Sequence, residues 1–226
     1  MAKTPRRMKY NCESAFAGIE LRDKSILEIG AGKGILSAYM ASFARHVVAM
    51  EPEAAGSSEG VLAMIAKLRD RLAIENLQVV TTKLQEYDAG NQSFDVVVLH
   101  DSINHLDEKA CQELRCSDDA RRTYRDIFTQ IVQMTVQGGR VVIFDCSPRN
   151  FFAWSGIKHP VTPQIEWEKH QPPEVWCSLL KPLGVVRESL SWTVAYPLHA
   201  FAPLLSNSIA AFFLFSHFRL VLRLDS

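Results

Sequence analysis

Short apolar runs alternate with longer amphipathic stretches along most of this 226-residue chain. The runs have the length of buried strands, whereas the stretches between them carry apolar residues at helical spacing. This alternation is typical of β-α-β units and predicts strands at 25–29, 46–50, 77–81, 94–99, 140–145, 185–195 and 212–222. Seven strands suffice for a doubly wound α/β sheet with helices on both faces.

Helices are predicted at 34–43, 59–73, 120–137 and 173–183. In the second, for example, Val61, Ile65 and Leu68 lie on one helix face. Because the connection between the last two strands is too short for a crossover helix, the last strand is predicted to pair antiparallel at the sheet edge. The chain shows neither an internal repeat nor a linker, so residues 1–226 are predicted to form a single domain.

The charges are balanced, with 25 lysines and arginines against 25 aspartates and glutamates. No overall basic field exists to attract phosphates, which argues against a nucleic-acid partner. The five cysteines are scattered without a CxxC pair or a ligand spacing, so we expect reduced thiols and no metal.

We expect neither a secretory signal nor a membrane span in this sequence. The start, "MAKTPRRMKY", has no apolar run behind its charges, so a cytoplasmic protein is expected. The most apolar run, "IAAFFLF" at 209–215, is far shorter than the roughly 20 residues of a membrane span. We therefore interpret it as a buried strand and expect no membrane association.

The stretch "ILEIGAGKGILSAYMA" at 26–41 turns at once from strand to helix through three glycines. Such a turn aims the first N–H groups of the helix at one spot, and glycines there permit positive φ and close backbone approach to a ligand. Its spacing differs from the dinucleotide pattern G-x-G-x-x-G, and Glu28 would repel a pyrophosphate. The stretch therefore favours a ligand with a cationic or hydroxyl-rich end.

The segment "LEIGAGKG" resembles motif I of the class I S-adenosylmethionine-dependent methyltransferases. The resemblance implies S-adenosylmethionine as the cofactor, with Glu28 near its methionyl amino group. It also implies that the turn formed by Gly30, Ala31, Gly32 and Gly34 packs against the amino acid and the ribose.

The second landmark of that family is an acidic residue at the end of strand two that binds both ribose hydroxyls. Here "VVAMEPE" supplies Glu51, with Pro52 behind it. A carboxylate offers two acceptor oxygens and so matches a vicinal diol. The resemblance therefore places Glu51 and Pro52 at the ribose.

Two further motifs of that family match this sequence to different degrees. Where the family often has an acid near the adenine, "TTKLQEY" has Lys83, so adenine contacts are expected from the Leu84 amide and from Gln85 or Glu86. The segment "FDVVVLHDSINHL" resembles motif IV and places His100 and Asp101 near the methionine moiety. Family members that methylate nucleic-acid or glutamine amines carry a proline-rich, aromatic motif here. Its absence favours a small-molecule acceptor.

Two segments without a clear period, 101–119 and 146–171, follow predicted strands, where open α/β sheets place their ligands. We interpret them as substrate-side loops or a lid, and His105 and His159 within them as candidate bases. The candidate apolar lid consists of Phe151, Phe152, Trp154, Ile157 and Trp167.

The resulting hypothesis is a methyltransferase acting on a small, partly apolar metabolite. Two alternatives remain open: an inactive cofactor-binding protein that acts through a partner, and a methyltransferase that acts on a protein.

Overall fold

The computed structural model describes residues 4–52, 59–160 and 162–225. Its strands are β1 (Ser25–Ile29), β2 (His46–Met50), β3 (Leu77–Val80), β4 (Phe94–His100), β5 (Thr135–Cys146), β6 (Val185–Trp192) and β7 (His217–Leu224). They form one sheet in the order β3-β2-β1-β4-β5-β7-β6. The pairs among the first five are parallel, and β7 pairs antiparallel with both β5 and β6. The predicted mostly parallel sheet with an antiparallel last strand is confirmed.

The helices cover both faces of this sheet. They are α1 (Pro5–Ala15), α2 (Ile35–Ala41), α3 (Val61–Arg71), α4 (Glu108–Glu113), α5 (Asp118–Gln133), α6 (Phe151–Ser155), α7 (Pro173–Leu180), α8 (Ala202–Leu205) and α9 (Ser208–Phe213). On one face Tyr124, Phe128 and Trp176 of α5 and α7 pack on the sheet. On the other, Met40 and Ile65 of α2 and α3 do so. Burial of these apolar side chains on both faces stabilises the layered fold.

The aperiodic segments after β4 and β5 contain short helices that begin at capping side chains. The Asp107 carboxylate accepts from the Ala110 amide at 2.9 Å at the start of α4. Asn150 accepts from the Ala153 amide at 3.0 Å at the start of α6. Each cap satisfies an amide that the first turn leaves without a partner. These helices are too short to show a hydrophobic period, which is why the sequence predicted loops.

The apolar run at 209–215 is not a buried strand, and that prediction is wrong. Asn207 accepts hydrogen bonds from the amides of Ile209 and Ala210 and so begins α9, while β7 starts only at His217. Ile209 is 73% exposed, and Ala211 is the one buried residue within the helix. The local cap therefore decides the helical conformation, although the composition favours a strand.

The first helix, α1, lies in a segment for which the sequence predicted no element. Thr4 caps it by accepting from the Arg7 amide at 3.3 Å, and Pro5 occupies its first position. Proline fits there because the first helical N–H has no partner within the helix.

None of the helices in the described ranges is long and apolar enough to cross a membrane.

Candidate functional site

The carboxyl ends of β1 and β4 open into a cavity of about 300 Å³, which we call the inner cavity. Its walls come from α1, the glycine turn, the start of α2 and the end of β4. The lining residues are Met8, Asn11, Cys12, Glu28, Gly30, Ala31, Gly32, Lys33, Ile35, Leu36, His100 and Asp101. Six of the eleven residues predicted to bind the cofactor therefore lie together, whereas the contribution of α1 was missed.

The glycine turn is attached to the neighbouring strand by its backbone. The amides of Gly30 and Ala31 both donate to the Met50 carbonyl, at 2.8 and 3.0 Å. Because β1 and β2 are adjacent and parallel, the turn lies directly beside the end of β2. This position brings Glu51, the residue after β2, to the turn.

The three glycines serve different steric purposes, although each has a positive φ. A Cβ on Gly30 would lie 2.4 Å from the Ser102 Cβ, and one on Gly34 would lie 2.9 Å from Ile65 Cγ1. A Cβ on Gly32 would meet nothing within 4 Å. The outer glycines are therefore required by packing, whereas the middle one leaves room beside the inner cavity.

Glu51 contacts the glycine turn directly. The Gly32 amide donates to Glu51 Oε2 at 2.7 Å, and the residue is 8% exposed. Glu51, Pro52 and Gly34 do not line the inner cavity in the described ranges, which omit residues 53–58 that follow Pro52. Their predicted roles at the ribose remain predictions.

Glu28 is a buried acid in the wall of the inner cavity. Burial raises its pKa to about 8, a hydrogen bond donated by the Ser37 hydroxyl partly opposes this rise, and repulsion from Glu51 adds to it. A cationic group in the cavity would stabilise the ionised carboxylate. The Glu28 carboxylate thus suits the ammonium group of an amino acid, from which it can accept hydrogen bonds.

The residues predicted to contact adenine lie in a 3-10 turn, Leu84–Glu86. The Leu84 side chain is buried in the core, and its carbonyl accepts from Gln130 Nε2 at 2.6 Å. Gln85 is exposed and donates to the Leu106 carbonyl at 2.8 Å. Neither residue lines the inner cavity as described, so their predicted contacts are not tested by it.

A second, larger cavity of about 600 Å³ lies beside α4, α6 and α9, and we call it the outer cavity. Its lining combines aromatic rings with charged and amide groups. The lining residues are Gln112, Arg115, Pro148, Arg149, Asn150, Ala153, Trp154, Trp167, Glu168, His170, Gln171 and Phe212. Such a surface suits a molecule with an apolar body and a polar end.

Only part of the predicted aromatic lid lines the outer cavity. Trp154 and Trp167 do, whereas Phe151 and Phe152 pack on Phe213 and His159, with ring centroids 6.2 and 4.5 Å apart. The remaining lid candidate, Ile157, is 57% exposed and is not part of the lining in the described residues. Phe212 was missed because the sequence placed it in a strand.

The two predicted bases lie outside both described linings. The His105 side chain is 56% exposed, and its Nδ1 lies 2.7 Å from Glu108 Oε1. His159 is buried, accepts from the Thr162 amide at 3.1 Å, and lies 3.4 Å from the Leu214 carbonyl through Nε2. Among the described residues, the contacts of His105 are therefore local to the start of α4, those of His159 connect it to Thr162 and Leu214, and neither histidine lines a cavity.

A histidine–aspartate pair that the sequence analysis did not select lies at the end of β5. His170 Nδ1 is 2.7 Å from Asp145 Oδ1, and the Cys146 amide donates to the same oxygen at 2.7 Å. Burial of Asp145 raises its pKa despite the histidine beside it. Its second oxygen, Oδ2, is buried without a hydrogen-bond partner in the described part of the chain. The sequence signal that could have found this pair is an acid at the end of a predicted strand, followed by a loop that contains histidine.

Residues 26–117 match a family profile described as a methyltransferase domain. A search of curated protein sequences found no significant match. Solved structures similar to the whole chain include a SAM-dependent methyltransferase from Aquifex aeolicus, with a TM-score of 0.64, 11% identity, and coverage of 98% of this chain and 94% of that one.

Two others carry a ligand. One is the N-methyltransferase NodS from Bradyrhizobium japonicum WM9 with S-adenosyl-L-homocysteine; the TM-score is 0.60, the identity 12%, and the match covers 98% of this chain and 87% of that one. The other is the magnesium protoporphyrin IX methyltransferase ChlM from Synechocystis PCC 6803 with SAM; the TM-score is 0.58, the identity 13%, and the match covers 98% of this chain and 79% of that one. At these identities the likeness shows a shared fold.

Proposed function

We propose that this chain, which has the methyltransferase fold and matches a methyltransferase-domain profile at residues 26–117, transfers a methyl group from S-adenosylmethionine to a small, partly apolar molecule. S-adenosylmethionine, which supplies a methyl group on a sulfonium, would occupy the inner cavity. The acceptor would occupy the outer cavity.

The arrangement of Glu28, Gly32 and Glu51 carries the cofactor assignment. The buried Glu28 carboxylate lines the cavity, and a cation beside it would stabilise its ionised form. Gly32 lies nearby and has open space where a Cβ would be. Glu51 is held at the same turn by the Gly32 amide. One carboxylate would meet the ammonium and the other the ribose hydroxyls, which need two acceptor oxygens at one position.

The lining of the outer cavity supports a small acceptor. Trp154, Trp167 and Phe212 provide apolar area, and Arg115 and Arg149 provide donors for a polar end. In methyl transfer the protein mostly contributes by holding the nucleophile in line with the reacting carbon, roughly 3 Å away. Residues lining both cavities would therefore position the two reactants.

Two measurements test this function. Calorimetry with S-adenosylhomocysteine and folded protein should show saturable binding, whereas the absence of heat up to millimolar ligand would contradict the cofactor assignment. The protein is then incubated with methyl-labelled cofactor and a cell extract separated into small-molecule and protein fractions. We expect label in the small-molecule fraction. Label in protein would instead indicate a protein acceptor, and retained cofactor without transfer would indicate an inactive binding protein.

A further inference from the structure

We propose that His170, positioned by Asp145, is the general base of this methyltransferase and that the acceptor group is a hydroxyl. The inference rests on the proposed function and specifies the chemistry of its acceptor site. It adds a catalytic residue, His170, and a positioning residue, Asp145, to the residues predicted from the sequence.

The geometry of the pair gives the ring a defined orientation. Asp145 Oδ1 lies 2.7 Å from His170 Nδ1, so this nitrogen donates when the ring is neutral. Nε2 then has a free lone pair, and it has no hydrogen bond to any residue that the structure describes. The ring lines the outer cavity, and its side chain is 14% exposed. A proton acceptor therefore lies in the wall of the proposed acceptor site.

The pair also lies next to the inner cavity. Asp101, which lines that cavity, is close enough to interact electrostatically with Asp145. His217, at the start of β7, interacts with both Asp101 and His170. The Asp101 amide donates to the carbonyl of Phe144, the residue before Asp145, at 3.0 Å. Asp145 thus lies at the strand end beside a residue of the inner cavity, and its partner His170 lines the outer cavity, where a base can reach the acceptor.

The charged and titratable groups around His170 come from several elements. Asp145 and Cys146 lie on β5, Lys169 precedes the histidine, and the outer cavity adds Arg115, Arg149 and Glu168. His217 interacts electrostatically with His170 and also with Asp101, His100 and His159, and Asp145 interacts with Cys111. Among these groups in the described ranges, Asp145 is the one that hydrogen-bonds to the ring. Its carboxylate is thus the main determinant of which nitrogen carries the proton.

A base has a function only if the nucleophile must lose a proton, and a hydroxyl keeps its proton at neutral pH. In the proposed step a lone pair of the acceptor oxygen forms the bond to the methyl carbon. The electron pair of the broken sulfur–carbon bond stays on sulfur, and the hydroxyl proton moves to His170 Nε2. The products are the methyl ether, S-adenosylhomocysteine and a protonated ring that later releases its proton to water.

Asp145, Cys146 and His170 also place a carboxylate oxygen, a thiol and a ring nitrogen within 4.8 Å of one another. We do not assign them to a metal. Asp145 Oδ1 already accepts from the Cys146 amide and from His170 Nδ1, and the proton on Nδ1 of the neutral ring excludes that nitrogen as a ligand.

The first test needs no substrate. Nitrogen NMR of histidine-labelled protein, with His170→Gln to assign the signal, should show the neutral ring protonated at Nδ1. In Asp145→Ala the neutral ring should show a mixture of the two tautomers, because the carboxylate that accepts from Nδ1 is gone. A mixed tautomer in the wild type, or an unchanged Nδ1 preference in the variant, would overturn the pairing. So would Co²⁺ binding to the purified protein that is lost in Cys146→Ser.

The second test uses the acceptor found by labelling. His170→Gln should lower kcat roughly 10²-fold or more, with binding of S-adenosylhomocysteine within about twofold of wild type. Asp145→Asn should lower kcat less and shift the acidic limb of the pH–rate profile. His199→Gln, an exposed histidine outside both cavities, serves as the control. Full turnover in His170→Gln would overturn the base, whereas a wild type that transfers no label would overturn the proposed function itself.

Discussion

The inner and outer cavities are built in different ways. Seven of the twelve residues that line the inner cavity come from one continuous segment, Glu28 through Leu36, and the others come from α1 and the end of β4. The outer cavity draws on residues from Gln112 to Phe212 that meet only in the folded chain. Local backbone demands, such as glycines at positive φ, dominate the first, whereas side-chain packing between distant elements dominates the second. The comparison implies that substitutions at the inner cavity affect folding and cofactor binding, and those at the outer cavity affect the acceptor.

The largest effect concerns Glu28. Burial raises its pKa in the folded state to about 8, above the 4.5 of an unperturbed glutamate, so between these pH values the folded state holds a proton that the unfolded chain releases. The stability from the protonated carboxyl is complete below about pH 4.5 and is lost as the pH rises towards 8. From pH 5 to pH 8 the free energy of unfolding should fall by roughly 3–4 kcal/mol more in wild type than in Glu28→Gln. Urea unfolding measures this difference, and an identical pH dependence of the free energy of unfolding in the two proteins would contradict the prediction.

The next effect compares two glycines of one turn. Gly30→Ala should lower the free energy of unfolding by about 3 kcal/mol, because the new Cβ would overlap Ser102 in addition to the strain of a positive φ. Gly32→Ala has the same kind of strain without the overlap and should cost about 1 kcal/mol. Urea unfolding of both variants measures the difference, and equal losses would remove the packing role of Gly30.

A smaller effect is expected for Glu51. Replacing it with glutamine removes the charge that strengthens its hydrogen bonds, so binding of S-adenosylhomocysteine should weaken by about 1.5–3 kcal/mol, or roughly 10–150-fold. Calorimetry measures the change, with the exposed Glu75→Gln as the control. If the two variants bind equally well, Glu51 is not part of the cofactor site.

The smallest effect belongs to the outer cavity. Trp154 is 79% exposed, so Trp154→Ala should leave the free energy of unfolding nearly unchanged. Loss of its apolar contact should raise the KM for the acceptor about fivefold, equivalent to about 1 kcal/mol. Phe201→Ala, another exposed aromatic outside the cavity lining, is the control. An unchanged KM for Trp154→Ala would exclude the ring from the acceptor site.

The sequence predicted β1 and β2 well because each is a short apolar run that is buried along nearly its whole length. The prediction of a strand failed at α9, where the capping hydrogen bonds to Asn207 favour a helix although the apolar composition favours a strand. The sequence analysis also missed α1, whose Met8, Asn11 and Cys12 complete the inner cavity, because that helix has few apolar residues to set a period.

Among the site residues, those of the glycine turn and Glu28 were predictable because their spacing within a few positions already defines their geometry. The bases were not. His105 and His170 both lie in aperiodic segments, and both approach a carboxylate at 2.7 Å. Only burial and the position of each pair relative to the cavities separate them.

The sequence by itself determined the alternating fold class, the strand–glycine–helix turn and the register that brings Glu51 to it, because these depend on short-range periodicity and backbone conformation. The tertiary structure decided which histidine meets a buried aspartate. Asp145 and His170 are 25 residues apart, and their contact depends on how β5 and the loop before α7 pack together. Such contacts depend on the whole packed layer, since no local spacing encodes them.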